Sequence, residues 1–165
     1  MNVPRPVGRD LVGAELRALA EWLRERPELW RPHVRHDPEQ RIYHRLLDDE
    51  HVTVWLICWM PGHDTGFHDH DGSSGAVAVL EGEVVEERLR LLGPPASRVF
   101  GPRGVLEFGA ADIHRVRHHG SAPAVTLHVY SPALRRMGAY HVDEHGRLLR
   151  EALDEDTELG SQVAA

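Results

Sequence analysis

The chain has 165 residues, of which 41% are hydrophobic and 27% charged, a composition that predicts one globular domain. Its net charge of −7 argues against nucleic acid as a partner, because no basic stripe offsets it. All 19 basic residues are arginine, which excludes lysine Schiff-base and P-loop chemistry. No apolar run approaches the roughly 20 residues that span a bilayer, and no secretory signal is visible. We expect a cytoplasmic protein without a membrane partner, either a monomer or a weak homo-oligomer.

The N-terminal part of the chain is predicted to be helical. Between Asp10 and Arg26, leucines and a tryptophan recur at helical spacing, with Asp10 as the N-cap and Pro27 as the stop signal. A shorter helical piece is predicted over residues 28–34. We expect residues 1–40 to form a helical segment that packs on the outside of a sheet.

From residue 41 onward the hydrophobic pattern changes to period two, which predicts strands. The predicted strands are Arg41–Leu47, Val52–Met60, Gly75–Leu80, Glu83–Leu91, Gly104–Phe108, His114–Arg117 and Ala124–Tyr130, with a last hairpin over Tyr140–Leu149. Many short strands, with helices only at the start, favour a mainly β fold, either a barrel or a double-sheet jelly roll. We expect residues 41–153 to form this barrel and residues 154–165 to be a disordered tail.

Two of the thirteen histidines, His68 and His70, are two positions apart. On a strand they share one face, so both imidazoles can reach one metal ion while Asp69 points away. A glycine precedes the pair by six positions, the turn at residues 81–82 holds another, and His114 opens a later strand. This arrangement is similar to the cupin pattern, and it predicts a cupin barrel with His68, His70 and His114 as metal ligands.

The identity of the metal is predicted from the absence of a ligating carboxylate in the pattern. Many cupins place a glutamate shortly after the second histidine, whereas Ser73, Ser74 and Gly75 stand there. A third neutral imidazole leaves Fe(II) with its full charge, which suits an anionic thiolate. Three protein ligands also leave open positions for a substrate and O₂. Asp112 is the only nearby carboxylate that could compete as a ligand, and a turn role is the better interpretation of it.

With these residues in place, the chain resembles the cysteine dioxygenase type I family of thiol dioxygenases, in its bacterial arginine-type form. The motifs that carry the resemblance are Tyr43-His44-Arg45, Cys58-Trp59-Met60-Pro61-Gly62, His68-Asp69-His70, Val79-Leu80-Glu81-Gly82-Glu83, His114-Arg115-Val116 and Thr126-Leu127-His128-Val129-Tyr130-Ser131-Pro132. The resemblance implies one Fe(II) per chain, held by His68, His70 and His114.

The resemblance also assigns roles outside the ligand set. It implies that Arg45 binds the substrate carboxylate, which suits the planar fork of a guanidinium. It implies that Tyr130 points its hydroxyl at the reacting ligands, with His128 and Thr126 as the relay behind it. Tyr43 and Trp59 correspond to pocket walls, although core filling is the commoner role of an aromatic residue on a strand.

Three departures from the family pattern bear on function. Gly75 stands where the animal enzymes carry a cysteine cross-linked to the tyrosine, so no thioether is expected at Tyr130. His118 replaces the usual asparagine, and we interpret it as a surface residue. Arg45 without an obvious second arginine in the pocket is similar to the cysteine-using subgroup. However, Arg135 and Arg136 are close in sequence to Met137, which stands near a position where related proteins differ according to their substrate.

The implied activity is dioxygenation of L-cysteine to 3-sulfinoalanine (cysteine sulfinate) in cysteine catabolism, with a small thiol and O₂ as the partners. One alternative is the same reaction on another small thiol, such as 3-mercaptopropionate or mercaptosuccinate. A second alternative is a non-catalytic or isomerase-type cupin that binds Zn, Ni or Mn. The aligned residues Thr126, His128 and Tyr130 speak against this second alternative, because a binder does not need a supported hydroxyl near its metal.

Overall fold

The computed structural model describes residues 8–154. The helices are α1 (Gly13–Arg24), α2 (Pro27–Trp30) and a 3₁₀ helix (Arg31–His33), and none of them is long or apolar enough to cross a membrane. The strands are β1 (Ile42–Asp48), β2 (Thr53–Trp59), β3 (Phe67–Asp69), β4 (Ser74–Glu81), β5 (Glu83–Arg88), β6 (Ala96–Phe100), β7 (Val105–Phe108), β8 (His114–His119), β9 (Ala124–Ser131), β10 (Arg136–Val142) and β11 (Leu148–Asp154). From residue 155 onward, the predicted tail lies outside the described residues.

The strands form two antiparallel sheets. One sheet has the strand order β1-β2-β9-β4-β7, and the other has the order β11-β10-β3-β8-β5-β6. The sheets face each other across one apolar cluster, to which Trp55 and Tyr130 contribute from the first sheet and Val84 and Met137 from the second. The predicted mainly β, double-sheet jelly roll is therefore confirmed.

The five-stranded sheet is covered on both faces. Strands β2 and β9 are buried at every residue, because their alternate side chains enter two different apolar layers. On β9, Val125, Leu127 and Val129 pack towards α1, whereas Tyr130 points between the two sheets. The space between the sheets is thus the layer in which the functional side chains of β9 lie.

Helix α1 covers the outer face of this sheet. Its buried face includes Leu16 and Leu23, and removing each leucine from water contributes about 1.5–3 kcal/mol to folding. The predicted N-cap, Asp10, is wrong, because the helix is capped at Val12. There the carboxylate of Glu15 reaches back and accepts the backbone N–H of Val12 at 3.1 Å. The Asp10 carboxylate instead lies 2.9 Å from Nδ1 of His51.

Strand β6 is absent from the sequence prediction. It is an edge strand whose middle residues Ser97, Arg98 and Val99 are all exposed, so its hydrophobic pattern does not alternate. The last hairpin is longer than the predicted Tyr140–Leu149. Strands β10 and β11 pair from Arg136 with Asp154 to Val142 with Leu148.

Strand β3 is only three residues long and lies between β10 and β8. Its Asp69 points away from the histidines, as predicted. The Asp69 carboxylate accepts hydrogen bonds from the Tyr140 hydroxyl and from Nε of Arg150, both at 2.7 Å. The hydrogen bonds from Arg150 and Tyr140 lower the pKa of Asp69 in spite of its burial, so the carboxylate stays ionised and ties β3 to β10 and β11.

Candidate metal centre

Three histidines converge between the sheets. His68 lies on β3 and is the register partner of His114 on β8, and His70 follows one residue after β3 ends. One nitrogen from each imidazole lies within 4.8 Å of the other two, and all three side chains are buried. The structure therefore brings together the three residues that the sequence pattern selects as ligands.

The hydrogen bonds of these imidazoles fit a metal ion. Nδ1 of His68 lies 3.1 Å from the carbonyl oxygen of Gly66, which can only accept, so Nδ1 donates and Nε2 keeps a lone pair. Both ring nitrogens of His70 are buried and have no hydrogen-bond partner among the described residues. A buried imidazole without partners is costly. A divalent cation would give it one, so the cluster could hold a metal ion.

The buried histidines are held in the neutral form that metal binding requires. Burial is the main cause that lowers the pKa of His68 and of His70 well below the usual value, and the neighbouring histidines add to it. A neutral imidazole offers a lone pair, whereas an imidazolium cannot bind a cation.

Two carboxylates close to these histidines in sequence point elsewhere. Asp69 is engaged on the far side of β3, as described above. The Asp112 carboxylate accepts the backbone N–H of Gly109 at 2.9 Å and a hydrogen bond from Arg88 at 3.3 Å, which is a turn role. The cluster is accordingly an all-histidine set over residues 8–154.

A carboxylate from a different part of the chain does touch the cluster. Oε1 of Glu86, on β5, lies 2.8 Å from Nδ1 of His114. Motif spacing carries no signal for this contact, because Glu86 precedes His114 by 28 positions and belongs to the neighbouring strand.

The predicted relay forms a continuous chain of hydrogen bonds on the inner face of β9. Nδ1 of His128 lies 3.1 Å from the Tyr130 hydroxyl, and Nε2 lies 2.8 Å from Oγ1 of Thr126. The ring of Tyr130 lies 5.2 Å from that of His70, centroid to centroid. Burial, with smaller effects from nearby charges, lowers the pKa of His128 to about 3, so this imidazole is neutral.

Trp59 is the last member of this series of hydrogen bonds, at the end opposite Tyr130. Its indole Nε1–H donates to Oγ1 of Thr126 at 2.8 Å, and the side chain is fully buried. With one lone pair of the Thr126 oxygen filled, the pattern favours donation from the threonine hydroxyl to Nε2 of His128. Nδ1–H of His128 then donates to the oxygen of Tyr130. The sequence does not predict this support role for Trp59, whose predicted role is a pocket wall.

Two of the three predicted substrate residues, Tyr43 and Arg45, lie on β1, and Trp59 ends β2. The ring of Tyr43 packs against Trp55 at 5.7 Å, and the guanidinium of Arg45 lies 4.9 Å from the centre of the same tryptophan. Arg45 also pairs with Asp48 at 3.2 Å. The structure thus brings Tyr43 and Arg45 to Trp55, which belongs to the same inner cluster as Tyr130.

The sequence shows no obvious second pocket arginine, but the structure places Arg41 beside the predicted pocket wall Trp59. Arg41 is only 2% exposed, and its guanidinium lies 5.5 Å from the centre of the Trp59 ring. Its charge contributes to lowering the pKa values of both His68 and His128, after burial. Position 41 carries no motif signal, because it lies just before the strand and outside the motifs that carry the resemblance.

The interpretation of His118 as a surface residue is wrong. Its side chain is buried, and Nε2–H donates to the carbonyl oxygen of Ala122 at 2.8 Å. It therefore braces the turn that joins β8 and β9.

Gly75 lies beside Tyr130 on the paired strands β4 and β9. A Cβ atom at Gly75 would come within 2.2 Å of Cζ of Phe108, so that ring occupies the space above the glycine. Phe108 in turn stacks on His70 at 4.2 Å and contacts the ring of His114 at 4.7 Å. The missing side chain at residue 75 lets an aromatic ring reach two of the three histidines.

A double-sheet jelly roll with a three-histidine cluster between its sheets defines the cupin class. Residues 7–143 match the family model described as cysteine dioxygenase type I, which covers most of the chain. The chain belongs to this family.

Related proteins support this assignment. Cysteine dioxygenase type 1 of Danio rerio is 30% identical over 131 residues, covering 72% of this chain and 64% of the zebrafish protein. The protein of the same name from Homo sapiens is 26% identical, covering 76% and 68%. The chain therefore spans about two thirds of the length of these relatives.

Solved structures show the same fold. A protein from Thermus thermophilus superposes with a TM-score of 0.56 at 26% identity, covering 62% of this chain and 93% of that one. A cupin superfamily protein from Desulfitobacterium hafniense gives a TM-score of 0.52 at 18% identity, covering 59% and 83%.

The contact between Gly75 and Phe108 generates a prediction. We expect Gly75→Ala to lower the free energy of unfolding by about 1–3 kcal/mol, because the added methyl overpacks the ring. Since the displaced ring pushes on His70, the metal content should fall as well. Urea denaturation and metal analysis measure the two effects. Gly72→Ala is the control, because a Cβ atom there meets nothing within 4 Å. Equal unfolding midpoints for the two variants would contradict the prediction.

Proposed function

We propose that this protein is a non-haem Fe(II) thiol dioxygenase that adds O₂ to the sulfur of L-cysteine and releases 3-sulfinoalanine. One Fe(II) per chain would be held by His68, His70 and His114. The observation that carries the proposal is the hydrogen-bonded chain ending at Tyr130, whose ring lies beside the histidine cluster. Family membership supports the reaction class, and the substrate is our own inference.

The reaction needs no further co-reactant. The thiol and O₂ combine so that the O–O and S–H bonds break, two S–O bonds form, and the proton ends on the sulfinic acid or in water. Sulfur loses the four electrons that O₂ gains. When bound, Fe(II) would supply open coordination positions for the thiolate and O₂ and would mediate the electron transfer between them.

Arg45 would bind the carboxylate of the substrate. Its guanidinium lies over Trp55, whose indole Nε1–H is buried and has no partner among the described residues. A carboxylate near Arg45 could accept from both groups, which would satisfy a buried donor. Such binding fixes the sulfur relative to the metal centre and reduces the entropy cost of the reaction.

Tyr130 would donate a hydrogen bond to the reacting oxygen atoms. Its support by His128 and Thr126 keeps the hydroxyl oriented before the substrate arrives, so little reorganisation is needed during the reaction. A donor that is fixed in advance is worth more in a buried site than in water.

One observation favours a second candidate function. The buried guanidinium of Arg41 adds another positive charge between the sheets, near His68 and His128. A thiol with two carboxylates, such as mercaptosuccinate, would match Arg41 and Arg45 together. A metal-binding cupin without catalysis would require neither the relay nor these arginines.

Oxygen uptake tests the proposed activity directly. We expect protein loaded with Fe(II) under anaerobic conditions to consume one O₂ per cysteine and to form a product heavier by two oxygen atoms. His114→Ala should lose most of its iron and its activity, because one of three ligands is removed. His119→Ala, an exposed residue on the same strand, should retain both. Iron-loaded protein that consumes no O₂ with cysteine, 3-mercaptopropionate or mercaptosuccinate would refute the proposal.

Substituting Arg45 tests the carboxylate assignment. We expect Arg45→Ala to raise KM for cysteine roughly tenfold to more than a hundredfold, because a charged hydrogen bond is worth about 1.5–3 kcal/mol. KM for cysteamine, which lacks the carboxylate, should change much less. Steady-state kinetics with both thiols make the measurement, and Arg98→Ala, an arginine that lies over Phe100, is the control. Equal losses for both thiols would show that Arg45 does not bind the carboxylate.

Substituting Tyr130 tests the donor. Tyr130→Phe keeps the ring and its packing, so folding and iron content should stay close to those of the wild type. We expect kcat to fall by about 10- to 1000-fold, as when a single donor to a developing oxyanion is removed. His128→Ala should give a smaller loss, because His128 only orients the hydroxyl. A normal kcat in the Tyr130→Phe protein would remove the mechanistic part of the proposal.

A further inference from the structure

Glu86 joins the metal centre to the neighbouring strand. Strands β5 and β8 pair so that Arg88 lies opposite His114 and Glu86 lies opposite Val116. The Glu86 side chain reaches back and places Oε1 at 2.8 Å from Nδ1 of His114. Both side chains are buried, at 8% and 2% exposure, so water does not compete for this contact.

Arg88 holds the carboxylate in place. Its Nη2 donates to the same Oε1 of Glu86 at 2.7 Å and to the carbonyl oxygen of Glu107, also at 2.7 Å. Its Nη1 donates to Asp112 at 3.3 Å. The guanidinium is therefore fixed at three points, and the carboxylate between it and His114 has little freedom to turn away.

The contacts of Oε1 assign the protons. Oε1 of Glu86 accepts a guanidinium N–H of Arg88 at 2.7 Å, and the permanent positive charge of that guanidinium favours a carboxylate beside it. A carboxylate oxygen can only accept, so Nδ1 of His114 donates and the lone pair lies on Nε2.

We propose that Glu86 is a positioning residue for the metal ligand His114 and that it sets the affinity of the centre for divalent cations. By accepting the Nδ1 proton, it fixes the ring orientation and makes Nε2 a stronger donor. The proposal rests on the metal-binding part of the proposed function and does not depend on which thiol is oxidised.

The chemistry of the ligand set explains why this carboxylate matters. Three neutral imidazoles leave a dipositive ion uncompensated in a buried site, which is unfavourable. Glu86 places a negative charge one imidazole away from the ion. The opposing charge of Arg88 is one third exposed, so water screens it more than it screens Glu86. The charge that many cupins supply with a ligating glutamate is thus supplied here through His114.

The test compares two neighbouring glutamates. Glu86→Gln keeps the side-chain shape but removes the charge, whereas Glu87→Gln removes a charge from the opposite face of β5, where Glu87 pairs with Arg115 and Arg117. Metal-free proteins are titrated anaerobically with Co(II), and binding is followed by its visible absorption bands. We expect Kd to rise about 10- to 100-fold in Glu86→Gln and to stay unchanged in Glu87→Gln. Equal Kd values for wild type and Glu86→Gln would overturn the proposal.

A measurement on the unaltered protein covers the case in which Glu86→Gln fails to fold. In the Zn(II)-loaded wild type, ¹H–¹⁵N spectra should show His114 protonated at Nδ1 and coordinated through Nε2. Coordination through Nδ1 would overturn the proposal. Because neither experiment uses a thiol or O₂, loss of the dioxygenase proposal would leave this result intact. A wild-type chain that binds no Co(II) would overturn the metal centre itself, and the role of Glu86 with it.

Discussion

The candidate metal centre depends on how the short strand β3 is held. Three residues cannot form a stable strand alone, and only His68 of β3 pairs with β8. On its other side, all three residues of β3 pair with β10, and the Asp69 carboxylate adds contacts to Tyr140 of β10 and Arg150 of β11. Strand β3 therefore carries the candidate ligand His68 on one face and the Asp69 contacts to β10 and β11 on the other.

The same division of labour runs through the five-stranded sheet. Its outer face is apolar and carries α1, so the inner face can be polar where polar groups satisfy each other. Thr126, His128 and Tyr130 use this freedom, and their three polar groups are linked in one chain. In a sheet with only one buried face, polar site residues would take the place of core residues. Here α1 buries the outer face, so apolar packing is kept there while the inner face carries polar groups.

Periodicity predicts well the features that lie within a single strand. The placement of His68 and His70, the outward direction of Asp69 and the shared face of the relay all follow from a period of two. Contacts between strands could not be predicted in this way. Glu86 meets His114 across 28 positions, and Trp59 meets Thr126 across 67, through pairings that no local pattern specifies. Phe108 and Arg41 were missed for the same reason, and exposed β6 carried no alternation to detect.

The indole of Trp59 limits what the relay can do. An indole N–H donates but has no lone pair with which to accept a proton, and it does not ionise near neutral pH. A proton that entered at Tyr130 and passed through His128 to Thr126 would therefore find no acceptor beyond the threonine. This series of hydrogen bonds therefore cannot conduct protons, and its role is to hold the Tyr130 hydroxyl in place. In the proposed reaction, any proton that Tyr130 gave to the substrate would therefore have to return to it from the same side, within the space between the sheets.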